Sequence, residues 1–291
     1  MRFYSISNGL SRGLLIKGQN ILDFYADSSI IRRGLACASV RFVAQGKQYF
    51  LRREENKGNG GFLMSKVFES CAEAVADIED GATVMVGGFT GRGTPSQLLL
   101  ALREKGPKNL AIVRNDASGG WKNPIDVDIL IEAGMVRKVI TCFAVFGSPK
   151  KVSLLERAAM DGLVEVELVP QGTLAERIRA GGAGIGAFYT PVGVGTEAAA
   201  GKEVRVIGGR EMILEHALKA DFSLIKAHRA DTLGNLVYRM SARNFNPIMA
   251  MASRTTIAEV ENLVDVGGID PDEVMTPCVF VRRIVPTGKV A

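Results

Sequence analysis

The chain has 291 residues, 47% hydrophobic and 23% charged, enough apolar material for one or two domains with a buried core. Its net charge of +5 is local: residues 1–63 hold 10 Lys+Arg against 4 Asp+Glu, so the remainder sits at −1 and carries no nucleic-acid footprint. No apolar run reaches the roughly 20 residues that span a bilayer, and neither the two histidines, His216 and His228, nor the scattered Cys37, Cys71, Cys142 and Cys278 show metal-ligand spacing.

Cysteines without a CxxC pair read as reduced thiols of a cytoplasmic protein. Residues 1–63 lack proline, whereas the rest holds all ten. They read as an N-terminal extension. One reading is a targeting-like segment, because Arg2, Arg12 and Lys17 precede the first acid, Asp23. The preferred reading is a translated leader. Gly60-Gly61-Phe62-Leu63-Met64 can be encoded as a purine-rich ribosome-binding site spaced before a start codon, which makes Met64 the expected initiator and 64–291 the expected domain.

From Ser65 the chain alternates helix and strand patterns. Ser65 caps a predicted helix over Val67–Glu79, with Val67, Cys71, Val75 and Ile78 on one face. Ala82–Val86 reads as a buried strand. Thr94 (N-cap), Pro95 (first turn) and Gln97 form a capping box that opens a helix to Lys105. Strands follow at Leu110–Val113, Val136–Thr141 and Val164–Val169. Helices follow at Ile125–Ala133, at Pro149–Met160 capped by Ser148, and from a Thr173–Glu176 capping box to Ala180, stopped by Gly181-Gly182. Phe222–Ala227 and Leu236–Tyr238 flank the turn Asp231–Asn235, and Thr255–Val260 and Val279–Ile284 complete the strands. This alternation predicts an α/β fold with an open, mostly parallel sheet and flanking helices.

Ligands of such sheets bind beyond the carboxyl ends of the strands. Gly87-Gly88-Phe89-Thr90-Gly91-Arg92-Gly93 occupies such an end. Its glycines leave backbone N–H groups unobstructed, and the helix behind adds partial positive charge, which together suit a phosphate or a carboxylate. A second stretch, Gly181–Thr196, holds six glycines and reads as a long loop. Alone, Gly91-x-Gly93-x-x-Ser96 approximates a dinucleotide fingerprint with Asp116 as ribose-binding acid. Its third glycine is missing and Pro95 interrupts it.

Both loops, with Ser241-Ala242-Arg243-Asn244-Phe245-Asn246-Pro247, Leu168–Glu176 and Lys226–Asn235, resemble the α subunit of the family I coenzyme A transferases, and among these the bacterial acetate/acetoacetate and 3-oxoacid enzymes. The resemblance runs from about Val67 to Val285 and omits residues 1–63. It implies covalent transfer of coenzyme A, a substrate and not a tightly bound cofactor, between a short-chain acyl-CoA or 3-oxoacyl-CoA and a carboxylic acid, through a glutamyl–CoA intermediate. It places the attacking glutamate on a β-subunit partner, since neither Glu55-Asn56 nor Glu261-Asn262-Leu263 has the expected Glu-Asn-Gly or Glu-x-Gly setting. No catalytic residue and no metal ligand is therefore assigned to this chain. The resemblance carries CoA binding onto Gly87, Gly88, Phe89, Thr90, Gly91, Arg92 and Gly93. It gives Gly181–Thr196 the acyl pocket or the partner contact.

Arg92 suits a phosphate, an acceptor carboxylate or solvent, and Arg243 is expected in a structural salt bridge. Glu197, Glu203 and Glu211 are expected to be solvated. The Gly119–Pro124 segment with Trp121 departs from the acetoacetate-type pattern, which leaves the acyl group open. Two other classes compete: a nucleotide-dependent oxidoreductase using the first glycine loop, and a non-catalytic metabolite sensor on the same scaffold.

Overall fold

The computed structural model describes residues 40–45, 48–53, 65–116, 125–145 and 152–288. The chain divides into two units, Met1–Met64 and Ser65–Ala291. The first holds an antiparallel strand pair, β1 (Val40–Gln45) and β2 (Gln48–Arg53).

The second unit is built on one large sheet. Its strands are β3 (Thr83–Val86), β4 (Leu110–Val113), β5 (Val136–Thr141), β6 (Glu165–Leu168), β10 (Ala220–Asp231), β12 (Ser253–Val264) and β13 (Arg283–Pro286). They lie in the order β13-β12-β10-β3-β4-β5-β6, every neighbouring pair parallel. A short β11 (Leu236–Val237) folds back antiparallel on β10. The turn between them is held by Asp231, whose carboxylate accepts from the Gly234 and Asn235 amides at 2.9 Å.

The central strands β3 and β4 are apolar runs buried on both faces, as a parallel sheet requires, while the edge strand β6 is partly exposed. Val84 and Val86 face a core shared with α1 (Cys71–Ala74), α2 (Ser96–Lys105), α3 (Asp128–Glu132) and α4 (Leu154–Met160). Met85 faces the opposite core, filled by Leu174 and Ile178 of α5 (Gln171–Ala183) and Met249 of α6 (Asn246–Met251). The result is the predicted open α/β sheet with helices on both sides. A separate antiparallel sheet, ordered β7-β9-β8, holds β7 (Ala187–Thr190), β8 (Val204–Ile207) and β9 (Arg210–His216).

Several expected boundaries move. The helix expected over Val67–Glu79 shortens to Cys71–Ala74 and is capped by Ser70, which accepts from the Glu73 amide at 3.1 Å. Val67 and Phe68 stay extended because the outer edge of β13 needs backbone partners: Phe68 donates to Ile284 at 2.9 Å. Ser148 lies outside the described residues, and the capping box belongs to Ser153 and Glu156 instead. Val279 and Phe280 fall in a 3-10 turn before β13.

The Thr94 and Thr173 boxes are absent. Thr94 spends its hydroxyl elsewhere, and Thr173 lies buried inside α5, its hydroxyl without a hydrogen-bond partner. Nor do Gly181-Gly182 stop that helix. It runs through them to Gly184, because the missing side chains let it seat against the segment leading into β10 and against α6: a Cβ at Gly181 would lie 2.2 Å from the Leu218 carbonyl oxygen, and one at Gly182 2.7 Å from Met251 Cβ. The expected long loop Gly181–Thr196 is thus a helix end, a strand and a turn.

Candidate functional site

β3 ends at Val86, while its neighbour β10 runs on to Asp231. The chain leaves the sheet at Gly87, whose amide still donates to Leu224 at 2.9 Å. Beyond that point β10 has lost a partner. Asn246 fills the gap. Its Oδ1 accepts from the Lys226 amide at 3.1 Å, and its Nδ2 donates to the carbonyls of Gly93 (3.2 Å) and Ala242 (2.8 Å). Asn244 Nδ2 donates to the Arg92 carbonyl at 3.0 Å. The Ser241–Pro247 motif therefore fastens the glycine loop to the end of β10.

The loop tip is a tight turn. Phe89 and Arg92 exchange backbone hydrogen bonds at 3.0 Å, and Thr90 (φ 47°) and Gly91 (φ 78°) between them have the positive φ values of a type I′ turn. Positive φ is unfavourable for a β-branched threonine. The Thr90 amide is held there by both oxygens of Asp116, at 3.0 and 3.2 Å. Among the described residues, the amides of Gly91 and Gly93 have no acceptor.

Behind the loop Arg114 is fully buried. Its guanidinium donates to the carbonyls of Val86, Gly87 and Asp116, to Thr94 Oγ1 at 3.0 Å and to Asp126 Oδ2 at 2.6 Å. The neighbouring Asn115 accepts from Gln171 Nε2 at 2.7 Å, which ties in the start of α5.

The acids around Arg114 outnumber it. Burial, then the charge of Asp126, raises the Asp128 carboxyl to about 6, and one of its oxygens is buried without a partner. A folded-state value above the unfolded one favours the protonated form. This contribution to stability is full below about pH 4 and is lost as pH rises through 6. Asp128→Asn should therefore stabilise the chain by about 1–3 kcal/mol at pH 8 and by much less at pH 5. Thermal melts of variant and wild type at the two pH values check this; an equal shift at both would contradict it.

On the other side, alternation along β10 puts Lys226 and His228 on one face, and β12 sets Glu259 and Glu261 beside them. Glu259 is buried. One oxygen accepts from the Gln97 and Leu98 amides at the start of α2 (2.8 and 3.3 Å), and the other pairs with Lys226 Nζ at 3.2 Å. A carboxylate from a distant strand thus caps α2, the role expected of Thr94. Glu261 bonds His228 Nδ1 at 2.9 Å and lies 3.8 Å from Lys226 Nζ.

Loop and strands enclose a cavity of about 350 Å³. Its lining comes from three segments: Thr90, Gly91, Arg92 and Gly93; Lys226, Ala227 and His228 with Glu261; and Arg239, Met240, Ser241 and Ala242. Arg92 and Arg239, both exposed, contribute to this lining and form no ion pair among the described residues.

Of the seven predicted binding residues, Thr90 to Gly93 line the cavity, while Gly87, Gly88 and Phe89 form the stem beneath it. Arg243, expected in a structural salt bridge, makes no ion pair among the described residues. No residue of Gly181–Thr196 lines this cavity, because those residues build α5 and the small sheet. Glu197, Glu203 and Glu211 are exposed beside that sheet, as expected, with Glu203 accepting from Tyr189 at 2.5 Å. Trp121 lies outside the described residues. The dinucleotide reading loses its ribose acid, since Asp116 is buried and already holds Thr90 and the Asn115 amide group. Among the described residues no cluster of three or more His, Cys, Asp or Glu could hold a metal ion, and no helix is long and apolar enough to cross a membrane.

The coenzyme A transferase family model matches residues 68–287. The chain is 48% identical over 229 residues to the α subunit of 3-oxoadipate CoA-transferase from Pseudomonas putida, covering 79% of this chain and 96% of that protein. It is 45% identical over 215 residues to the α subunit of acetate CoA-transferase from Escherichia coli, covering 73% and 93%. The crystal structure of glutaconate coenzyme A-transferase from Acidaminococcus fermentans shares the fold, with a TM-score of 0.66 at 20% identity over 77% of this chain and 76% of that one. The chain, with its glycine turn at the carboxyl end of a parallel sheet, belongs to the coenzyme A transferase family.

Proposed function

We propose that this chain is the α subunit of a two-subunit CoA-transferase that moves coenzyme A between a short-chain acyl-CoA or 3-oxoacyl-CoA and a carboxylic acid. One observation carries the reading. The turn Thr90–Gly93, whose Gly91 and Gly93 amides have no acceptor among the described residues, lines a cavity that Lys226 and Arg239 also line. Such donors suit an oxygen that gains negative charge as a thioester or anhydride carbonyl is attacked.

The attacking carboxylate comes from the β subunit. It adds to the thioester carbonyl and expels the CoA thiolate, leaving an acyl–glutamyl anhydride. The thiolate then attacks the glutamyl carbonyl and releases the first acid. The resulting glutamyl–CoA thioester passes its CoA to the second acid by the reverse sequence. Glu261 is poorly placed for this role, because one of its oxygens bonds His228 Nδ1 at 2.9 Å and the other lies 3.8 Å from the Lys226 ammonium, which draws on the charge an attacking carboxylate needs.

The chain purified alone should therefore show no CoA exchange and should gain it when co-expressed with its β subunit. Exchange assays with acetoacetyl-CoA and succinyl-CoA as donors and a panel of acids test this. Exchange by the single chain would overturn it. Calorimetry with a nicotinamide dinucleotide, for which no binding is expected, separates the oxidoreductase reading.

A further inference from the structure

We infer that His228, held by Glu261, donates a hydrogen bond to the sulfur of coenzyme A while that sulfur is a free thiolate, an inference that rests on the transferase reading. In that reaction the partner's carboxylate displaces CoA, the C–S bond breaks and its electron pair goes to sulfur. The amides of the glycine turn suit the carbonyl oxygen. The sulfur takes its donor from elsewhere in the cavity.

The ring of His228 is held by one nitrogen. Nδ1 lies 2.9 Å from Glu261 Oε2, and a carboxylate only accepts, so Nδ1 carries the proton of this bond. Nε2 has no partner among the described residues, and His228 lines the same cavity as Gly91 and Gly93. The strand beneath is pinned. The His228 carbonyl accepts from Asn262 Nδ2 at 3.1 Å, and Asn246 bonds both the Lys226 amide and the Gly93 carbonyl. Imidazole and glycine turn thus share one support.

The charges suit an imidazolium at this place. Glu259 and Glu261 stand beside a single lysine, Lys226, and a second proton on His228 balances the second acid. The other charged residues of the lining are the exposed Arg92 and Arg239. In the doubly protonated ring Nε2 is a donor, and Glu261 behind it stabilises the cation, as the acid does in a hydrolase triad. The proton stays on nitrogen and the electron pair on sulfur. The thiolate is therefore ready to attack the glutamyl carbonyl, and no proton is gained or lost over the cycle. His228 is a catalytic residue in this account, and Glu261 a positioning residue.

The experiment compares the two-subunit enzyme as wild type, His228→Gln and Glu261→Gln across pH, with acetoacetyl-CoA as donor. His228→Gln should lower kcat about 10- to 100-fold, the worth of a hydrogen bond to a charged group, with KM for acetoacetyl-CoA within about threefold. Wild-type kcat should fall as rising pH removes the imidazolium proton. This fall should vanish in His228→Gln and move to lower pH in Glu261→Gln, which keeps an acceptor but not the charge. A kcat within about threefold of wild type in His228→Gln, or a pH profile unchanged in either variant, overturns the inference. A second measurement needs no turnover. The chain has only two histidines, so NMR of its labelled imidazole nitrogens in the two-subunit enzyme resolves His228, with His216 as control. At about pH 8, where free imidazole is neutral, coenzyme A should move the His228 signal toward imidazolium, because its thiol proton passes to Nε2. Desulfo-coenzyme A, which lacks the sulfur, should not. That response in an enzyme without exchange activity would sink the transferase reading alone. The same response to both carriers, or to neither, overturns the role of His228.

Discussion

Gly93→Val should lower kcat/KM of the two-subunit enzyme by about 100-fold or more, with little change in far-UV circular dichroism. Gly93 has φ +72°, where L side chains are strained, and a Cβ there would lie 2.8 Å from both the Ala242 carbonyl oxygen and Asn246 Nδ2. The loop would have to lift away from Asn246 to make room. That movement breaks the hydrogen bond from Asn246 to the Gly93 carbonyl and displaces the two amides on the cavity wall. Loss of one such donor typically costs about 10²–10³ in rate, and misplacement by about 1 Å costs about as much. Steady-state assays with an unmodified β subunit check this. A variant within about threefold of wild type would show that the turn does not contact the reacting atoms.

The largest effect on stability is expected from Arg114→Met. The side chain is fully buried, fixes three backbone carbonyls and neutralises Asp126, whose carboxyl burial pushes up and Arg114 pulls down. Methionine keeps much of the volume but strands a buried acid and the stem of the glycine loop. Breaking one side of such a pair costs about 3–5 kcal/mol. Denaturant unfolding of the purified chain measures it, and a loss below about 1 kcal/mol would contradict the network. The double variant Arg114→Met/Asp126→Leu should recover part of the loss, since removal of both charges leaves neither uncompensated.

The centre of the sheet was legible because Leu110–Val113 is a short apolar run buried on both faces; Val136–Thr141 also read at its true limits, although Arg137 is exposed. Helix starts were less legible. Thr94 and Thr173 look like caps locally, but Arg114 takes the Thr94 hydroxyl and Glu259, 162 residues away in sequence, caps α2. The hairpin β8–β9 escaped although Val204-Arg205-Val206 alternates apolar and polar residues and Gly208-Gly209 between its strands was a turn signal; β8 is short and exposed throughout.

At the site, the glycine loop announced itself through residue type. Lys226, His228, Glu259 and Glu261 did not, since only the register of β10 on β12 brings them together. The available signal was the alternation in Lys226-Ala227-His228 and Glu259-Val260-Glu261, two polar–apolar–polar triplets within otherwise buried strands. Arg114 gave none; at a strand end it reads as a solvated cation.

If this chain supplies the cradle and its partner the attacking acid, the covalent intermediate must form on the partner. The direct measurement is to load the two-subunit enzyme with acyl-CoA in the absence of acceptor, reduce the enzyme-bound thioester with borohydride and map the altered glutamate by mass spectrometry. One reduced glutamate is expected, in the β subunit, with every peptide of this chain unaltered. A reduced Glu261, or any reduced glutamate of this chain, would contradict that division of labour.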